Sequence, residues 1–557
     1  MRRRLRSFGV LIGAVGLLAG MAACGTSTSG TGSSSSPSGV LTLSDESGAL
    51  WTCGFNPFNA NVSFLDFGPV YEPLMFVDTL ENGKISPWLA TSYAWSNGNK
   101  TVTFTIRNGV KWSDGKPFSA ADVVYTFNLI KKFPALDINS VWSVLSSVTQ
   151  KGSNQVVMSF KAEAVPYFYY IADQVPIVPE HVWSTIKNPV TYNDTDPIGT
   201  GAYTVKCKPE QIEFLANKHY WQPGEPKLAE VLEPAFTSND PANTYLATGQ
   251  AQWGAQYIPS IKTFYSDKSS NNHYWFPPIA NVSIFINQKK NALLSNVAVR
   301  EAMAYAINRQ AVSQTGESGY EPAGNQTGVV TPTFSAWEDT SEAAQYNYGY
   351  NPTKAEQILT AAGFKKNSSG IFVSPSGKPL SFTIINQGGY SDWVASMQVI
   401  QTDLKAVGIQ ITPENVTGTS YTDALLDGNF ELAYGDETGG PTPFYEMRQW
   451  LYSKNTAPIG QQATTNYERY SNPATDKLID EYATTTSTAM QHSIVDQLEE
   501  VMLKDVPIIP VTEEVDWYQY STGSFTGWAT QQNAYAQPAA YQTPDLGIML
   551  LHIAPKK

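Results

Sequence analysis

The side chains on which this sequence could build chemistry include five histidines, the adjacent carboxylates Asp436 and Glu437, and three cysteines. His181, His219, His273, His492 and His552 are scattered, and no His-Glu-x-x-His places two imidazoles on one helix face for a metal. Ser184-Thr-Ile-Lys187 has the spacing of a nucleophile and its base, yet the Lys-Thr-Gly that such enzymes also use is absent. Gly199-Thr-Gly201 lacks the rest of a phosphate loop. Asp436-Glu437 could be imagined as a glycosidase pair, but neighbours on a strand point to opposite faces, whereas glycoside hydrolysis needs two carboxyls flanking one bond. No catalytic residue, metal site or cofactor is expected.

Binding chemistry is better supplied. The chain has 14 Trp, 30 Tyr and 24 Phe, and several fall between regular segments: Trp253 and Tyr257, Trp275-Phe276, Trp450, and Trp517-Tyr518. Most of these must be core, but as a population they suit a large cleft whose walls stack on a planar or ring-shaped ligand. A net charge of −13 argues against nucleic acid or an anionic membrane surface as partner.

The elements that would position these residues alternate between strand and helix. Thr101–Arg107 alternates Val102, Phe104 and Ile106, and Asn108-Gly109 followed by Val110-Lys111-Trp112 predicts a hairpin. Ser119-Ala-Ala-Asp122 is a capping box for a helix with Val123, Val124, Phe127 and Ile130 on its apolar face. Val299, Ala302, Met303, Ala306 and Ile307 mark a second helix, and Asn351-Pro352 and Asn472-Pro473 open two more, the first of them stopping at Gly363. The pattern predicts an α/β protein of more than one lobe.

The amino terminus points to export. Arg2, Arg3, Arg4 and Arg6 precede an apolar run, Phe8 to Ala23, that is too short and too glycine-rich to span a bilayer well. Residues 1–23 are expected to be a signal peptide, and Leu18-Ala19-Gly20-Met21-Ala22-Ala23-Cys24 looks like a lipobox whose cysteine is acylated. Residues 24–39, rich in Ser, Thr and Gly, would then be a flexible tether to the extracytoplasmic face of the cell membrane. Cys53 and Cys207 remain in the body, as a disulfide candidate or as two buried thiols.

Taken in order, these segments resemble the family 5 extracellular solute-binding proteins, which serve ABC importers of peptides, some oligosaccharides and nickel chelates. The resemblance runs from about residue 50 to about residue 520, through Val70–Phe76, Ser86–Ala90, Asn108–Gly115, Ser119–Val124, Pro197–Tyr203, Asn287 with Val297–Asn308, Ala355–Phe364 and Asp505–Pro510. It implies a two-lobed periplasmic-binding-protein-like fold of type II with an extra subdomain, closing by a hinge around a central cleft. The chain would be a monomer that delivers a small organic ligand to its permease subunits. Lobe I is expected to comprise residues 40–76, 196–286 and 511–557, the subdomain 77–195 and lobe II 287–510, with hinge crossings at Val282–Asn287 and Pro507–Val515.

Peptide binders of this family place an acidic residue for the ligand's amino group in a segment resembling Gly-Asp-Pro-Asp-Asn-Phe. Here it reads Gly439-Gly440-Pro441-Thr442-Pro443-Phe444, with glycine at the acidic position. That form, together with Asn56–Asn59, Lys132–Asp137 and Tyr274–Pro278, is similar to the branch that binds β-linked oligosaccharides such as cellobiose. An oligopeptide or dipeptide ligand stays open, because Asp436 and Glu437 could take over the amine. The cleft residues expected are Tyr71, Glu72, Trp253, Tyr257, Asn287, Asp436, Glu437, Phe444, Trp450 and Trp517. The readings from other classes are an exported glycoside hydrolase and a ligand-sensing surface protein.

Overall fold

The computed structural model describes residues 39–59, 64–81, 83–437 and 439–557. The expected signal peptide, Cys24 and all of the expected tether but Gly39 lie outside the described residues. Three sheets carry the architecture. In the first, Val40–Glu46 lies between two parallel neighbours, Glu230–Phe236 and Trp253–Gly254. Gln211–Ala216 and Tyr203–Lys208 extend it on one side, Gln519–Ser521 and Asn272–Tyr274 on the other, making seven strands. The second has five strands in the order Gln410–Val416, Ser381–Gln387, Leu432–Asp436, Pro278–Ile286 and Ile508–Val515. The third is a four-stranded antiparallel sheet between Ala90 and Phe160. The seven- and five-stranded sheets are the centres of two lobes.

Local sequence explains the elements that pack on these sheets. Ser119 and Asp122 close the expected capping box of the helix Ala120–Lys132, satisfying backbone N–H groups that a first turn leaves unpaired. Asn351 and Asn472 cap the helices Pro352–Ala361 and Pro473–Thr484, each with proline in its first turn. Strand alternation sets the sides of the second sheet: Val282, Ile284 and Ile286 enter a core with Val299, Met303, Leu359 and Met397, while Phe285 enters the core on the other face.

The hairpin after Arg107 is corrected. Thr101–Ile106 pairs with Ala90–Ser96 and Gln155–Phe160, and the chain beyond Gly109 makes only an isolated bridge between Lys111 and Pro117. Gly109 does turn the chain, at φ +81°, but Val110 and Trp112 are drawn into the core, and the Trp112 N–H donates to the Lys116 carbonyl instead of a strand partner.

The crossings between lobes also shift. Pro278–Ile286 and Ile508–Val515 are paired, antiparallel, inside the five-stranded sheet, whereas Asn272–Tyr274 and Gln519–Ser521 are paired inside the seven-stranded one. Boundaries at 286/287 and 510/511 would cut the five-stranded sheet or its edge. The chain passes between sheets at residues 275–277 and 516–518, where the Trp275 N–H donates to the Tyr518 carbonyl (3.0 Å) and the Asp516 N–H to the Pro277 carbonyl (2.9 Å). A disulfide joins Cys53 to Cys207, with Cα atoms 5.5 Å apart, and ties the loop after the first strand to an edge strand of the same sheet.

Candidate functional site

The carboxyl ends of strands from both sheets point at one chamber of about 360 Å³. Asp45 lies near the end of Val40–Glu46, Asn239 follows Glu230–Phe236, and Gln256 and Tyr257 follow Trp253–Gly254. From the other lobe come Tyr390, Asp392 and Trp393 after Ser381–Gln387, Asp436 at the end of Leu432–Asp436, and Glu514 and Trp517 at the end of Ile508–Val515. Glu321 and Tyr541 complete the wall. Strand ends are where α/β sheets hold ligands, because the loops leaving them are free to carry side chains that packing does not dictate.

Five carboxyl groups, Asp45, Glu321, Asp392, Asp436 and Glu514, line this chamber, and no lysine, arginine or histidine does so among the described residues. Burial raises the Asp392 pKa to about 6 and also raises that of Asp436. Burial, then the charges of neighbouring acids, puts Glu321 and Glu514 well above the ordinary carboxylate range. Asp436 and Glu514 share a hydrogen bond, Glu321 accepts from the Thr512 hydroxyl at 2.6 Å, and Asp392 accepts from the Asn239 amide at 3.0 Å. Groups with raised pKa values can donate as well as accept, which suits hydroxyl partners. The aromatic walls are braced. The Trp517 ring meets Tyr257 edge-on at 5.4 Å, its backbone N–H donates to the Tyr541 hydroxyl, and Tyr390 meets Trp393 edge-on at 4.9 Å. Direct contacts span the lobes beside the chamber, among them Asn239 to Asp392 and the Tyr257 hydroxyl to that of Ser318 at 2.5 Å.

Of the ten residues expected in the cleft, Tyr257, Asp436 and Trp517 meet here. The other seven are placed elsewhere. Tyr71 is wholly buried and donates to Asp194 at 2.5 Å. Glu72 sits in a seam where it accepts from Trp88 (2.8 Å), Tyr220 (3.0 Å) and Trp221 (3.1 Å). Trp253 is core, its indole N–H on the Pro538 carbonyl, and Asn287 folds a turn by donating to Gly428 and accepting from Lys289 and Lys290. Glu437 leaves the strand on the face opposite Asp436, buried beside Glu468 and Glu446. Phe444 stacks on Tyr482 at 3.6 Å, and Trp450 is fully buried in the same core. Asp45, Asn239, Gln256, Glu321, Tyr390, Asp392, Trp393, Glu514 and Tyr541 were missed. All but Glu321 and Tyr541 share one legible signal, a position at or just past the carboxyl end of a strand.

Among the described residues no group of three or more His, Cys, Asp or Glu side chains could hold a metal ion, and no helix is long and apolar enough to cross a membrane. Residues 84–458 match the family described as "Bacterial extracellular solute-binding proteins, family 5 Middle". The chain is 24% identical to the oligopeptide-binding protein AppA of Bacillus subtilis, with 79% of each chain covered. It is 26% identical to the nickel-binding periplasmic protein of Escherichia coli, with 73% of this chain and 78% of that one covered. A crystal structure of a periplasmic oligopeptide-binding protein of an ABC transporter from Thermotoga maritima, with mannohexaose bound, superposes with a TM-score of 0.87 at 28% identity, covering 93% of this chain and 98% of that one. With strand ends from two lobes meeting over one ligand-sized chamber and the match spanning most of the body, the chain belongs to the family 5 extracellular solute-binding proteins, the ligand-capturing components of ABC importers.

Proposed function

We propose that the ligand is a β-linked oligosaccharide, captured outside the cell by a monomer acylated at Cys24 and passed unaltered to the permease. The observation that carries this reading is the wall of the chamber: Tyr257, Trp393, Trp517 and Tyr541 offer ring faces and edges for pyranose C–H surfaces, and five carboxyls with two amides offer partners for hydroxyls. The glycine-rich segment supports it. A Cβ on Gly440 would stand 2.6 Å from the Tyr445 Cβ, so the position that is acidic in the peptide binders it resembles has no room for a side chain here. The mannohexaose held by the Thermotoga maritima protein lends further support.

The test is calorimetry on protein lacking residues 1–24, with cello-, manno- and xylo-oligosaccharides against di- to pentapeptides. Binding of sugars alone, with the sugar recovered intact, is expected; hydrolysis of the sugar would make the chain an enzyme. Binding of peptides alone would mean that the carboxyls take an α-ammonium group, and would overturn the sugar reading. Separately, Cys24→Ala should release the protein into the medium, and continued membrane retention would refute the anchor.

A further inference from the structure

We propose that the cleft continues past Tyr541 into a second chamber that holds a carboxylate at one end of the ligand, with Arg448 as its partner. This deepens the ligand-capture reading and rests on it. The second chamber encloses about 280 Å³, and Tyr541 lines both. Each volume alone is near the lower edge of the roughly 300–1,000 Å³ usual for ligand sites, and an elongated ligand would use both.

Arg448 lies on the helix Pro443–Leu451, is 3% exposed and lines the second chamber. One terminal nitrogen donates to the Tyr167 hydroxyl at 2.5 Å, while Nε has no hydrogen-bonding partner among the described residues. Nor does Arg448 form an ion pair among those residues. Asp137, whose charge it feels, already spends its two oxygens on the Val141 and Trp142 N–H groups. The guanidinium instead rests among the rings of Tyr167, Tyr170 and Tyr452, 5.0–5.4 Å from their centroids.

A guanidinium taken out of water without a counter-charge is costly, and ring faces return only part of that cost. Its flat fork of donors matches a carboxylate, which accepts two N–H bonds side by side. The two chambers therefore differ in charge: five carboxyls and no base line the first, whereas the second presents the Arg448 guanidinium with one carboxyl, Asp66, on its wall. The Asp66 pKa is raised well above the ordinary carboxylate range by burial and then by the Asp194 charge. A ligand spanning both would carry its negative charge at the Arg448 end. A terminal uronic acid on an oligosaccharide and the free carboxyl terminus of a peptide share this chemistry.

The test compares paired ligands on the full-length protein in detergent micelles: a neutral oligosaccharide against the same chain ending in a uronic acid, and a tetrapeptide against its carboxamide. The expected result is that the uronate binds about tenfold tighter than the neutral sugar. That ratio should fall to one in Arg448→Gln and be partly kept in Arg448→Lys, with unliganded melting temperatures measured alongside. Preference for the free-acid peptide over its amide, abolished in Arg448→Gln and with no sugar bound, would support the chamber while overturning the oligosaccharide reading. Equal binding of acid and neutral partners by the unaltered protein would overturn the chamber and leave that reading standing. An equal loss of acid and neutral sugar binding in both variants would assign Arg448 to packing and also overturn it.

Discussion

Glu72 and Asp436 are both buried carboxyls, one in the seam beside the four-stranded sheet and one at the cleft, and they differ in what surrounds them. Three side chains converge on Glu72, two indole N–H groups and a phenol, and hold its carboxyl in place. Asp436 faces a chamber where its neighbours are other acids, one of which shares its hydrogen bond. A buried polar group with a full set of partners holds the protein together; one left among its own kind is set up for a partner that comes and goes.

The largest effect that would break this contrast is on stability. Glu72→Ala should orphan the donors of Trp88, Tyr220 and Trp221 and cost roughly 3 kcal/mol or more. Chemical denaturation measures it, and a midpoint equal to that of the unaltered protein would erase the distinction. Next comes Trp517→Ala, which should weaken ligand binding by about 1 to 3 kcal/mol, by analogy with other ring-stacking contacts, and also lower the midpoint, because the ring packs on Tyr257, Phe276 and Tyr320. Trp253→Ala should lower the midpoint without changing affinity, and affinity lost in folded Trp253→Ala protein would return that residue to the site. Asp436→Asn keeps the shape of the side chain and should cost about 1 kcal/mol of affinity by calorimetry.

The smallest effect per group is on pH dependence, and both regions contribute with the same sign. Burial raises Glu72 to about 7 and Asp392 to about 6, so the folded state holds protons that the unfolded chain has released. Their stabilisation is complete below the unfolded pKa near 4 and is lost as pH rises through those folded values. The denaturation midpoint of unliganded protein should fall between about pH 5 and about pH 8. Asp392→Asn should flatten the part near pH 6, and a midpoint that rises across this window would reverse the sign.

Much of the fold was legible because it is written locally. The capping residues Ser119, Asn351 and Asn472 lie within a few residues of the groups they satisfy, and helix starts follow from them. The strand Thr101–Ile106 was legible from alternation, but its partners were not, because pairing is decided by segments distant in the chain. The site was harder for a related reason. An aromatic residue beside a turn reads the same whether it lines the chamber, as Trp517 does, or is sealed by Tyr518 and Trp528, as Trp253 is. Adjacent acids were separable only by face: Asp436 and Glu437 share a motif but look into a chamber and a core. Asp392 and Glu514 belong to no conspicuous motif, and only their place at strand ends marks them.

The paired crossings at residues 275–277 and 516–518 make the five-stranded lobe an insertion in the connectivity of the other. Its way in and its way out are one hydrogen bond apart, from the Asp516 N–H to the Pro277 carbonyl. To the rest of the chain, everything from Pro278 to Val515 is a detour that ends beside its start. The connectivity would let such a lobe take new termini on its far side without stretching the seven-stranded sheet, and a graft at this junction that kept the packing of Tyr445 on Tyr169 and Tyr170 would exchange one jaw of the cleft.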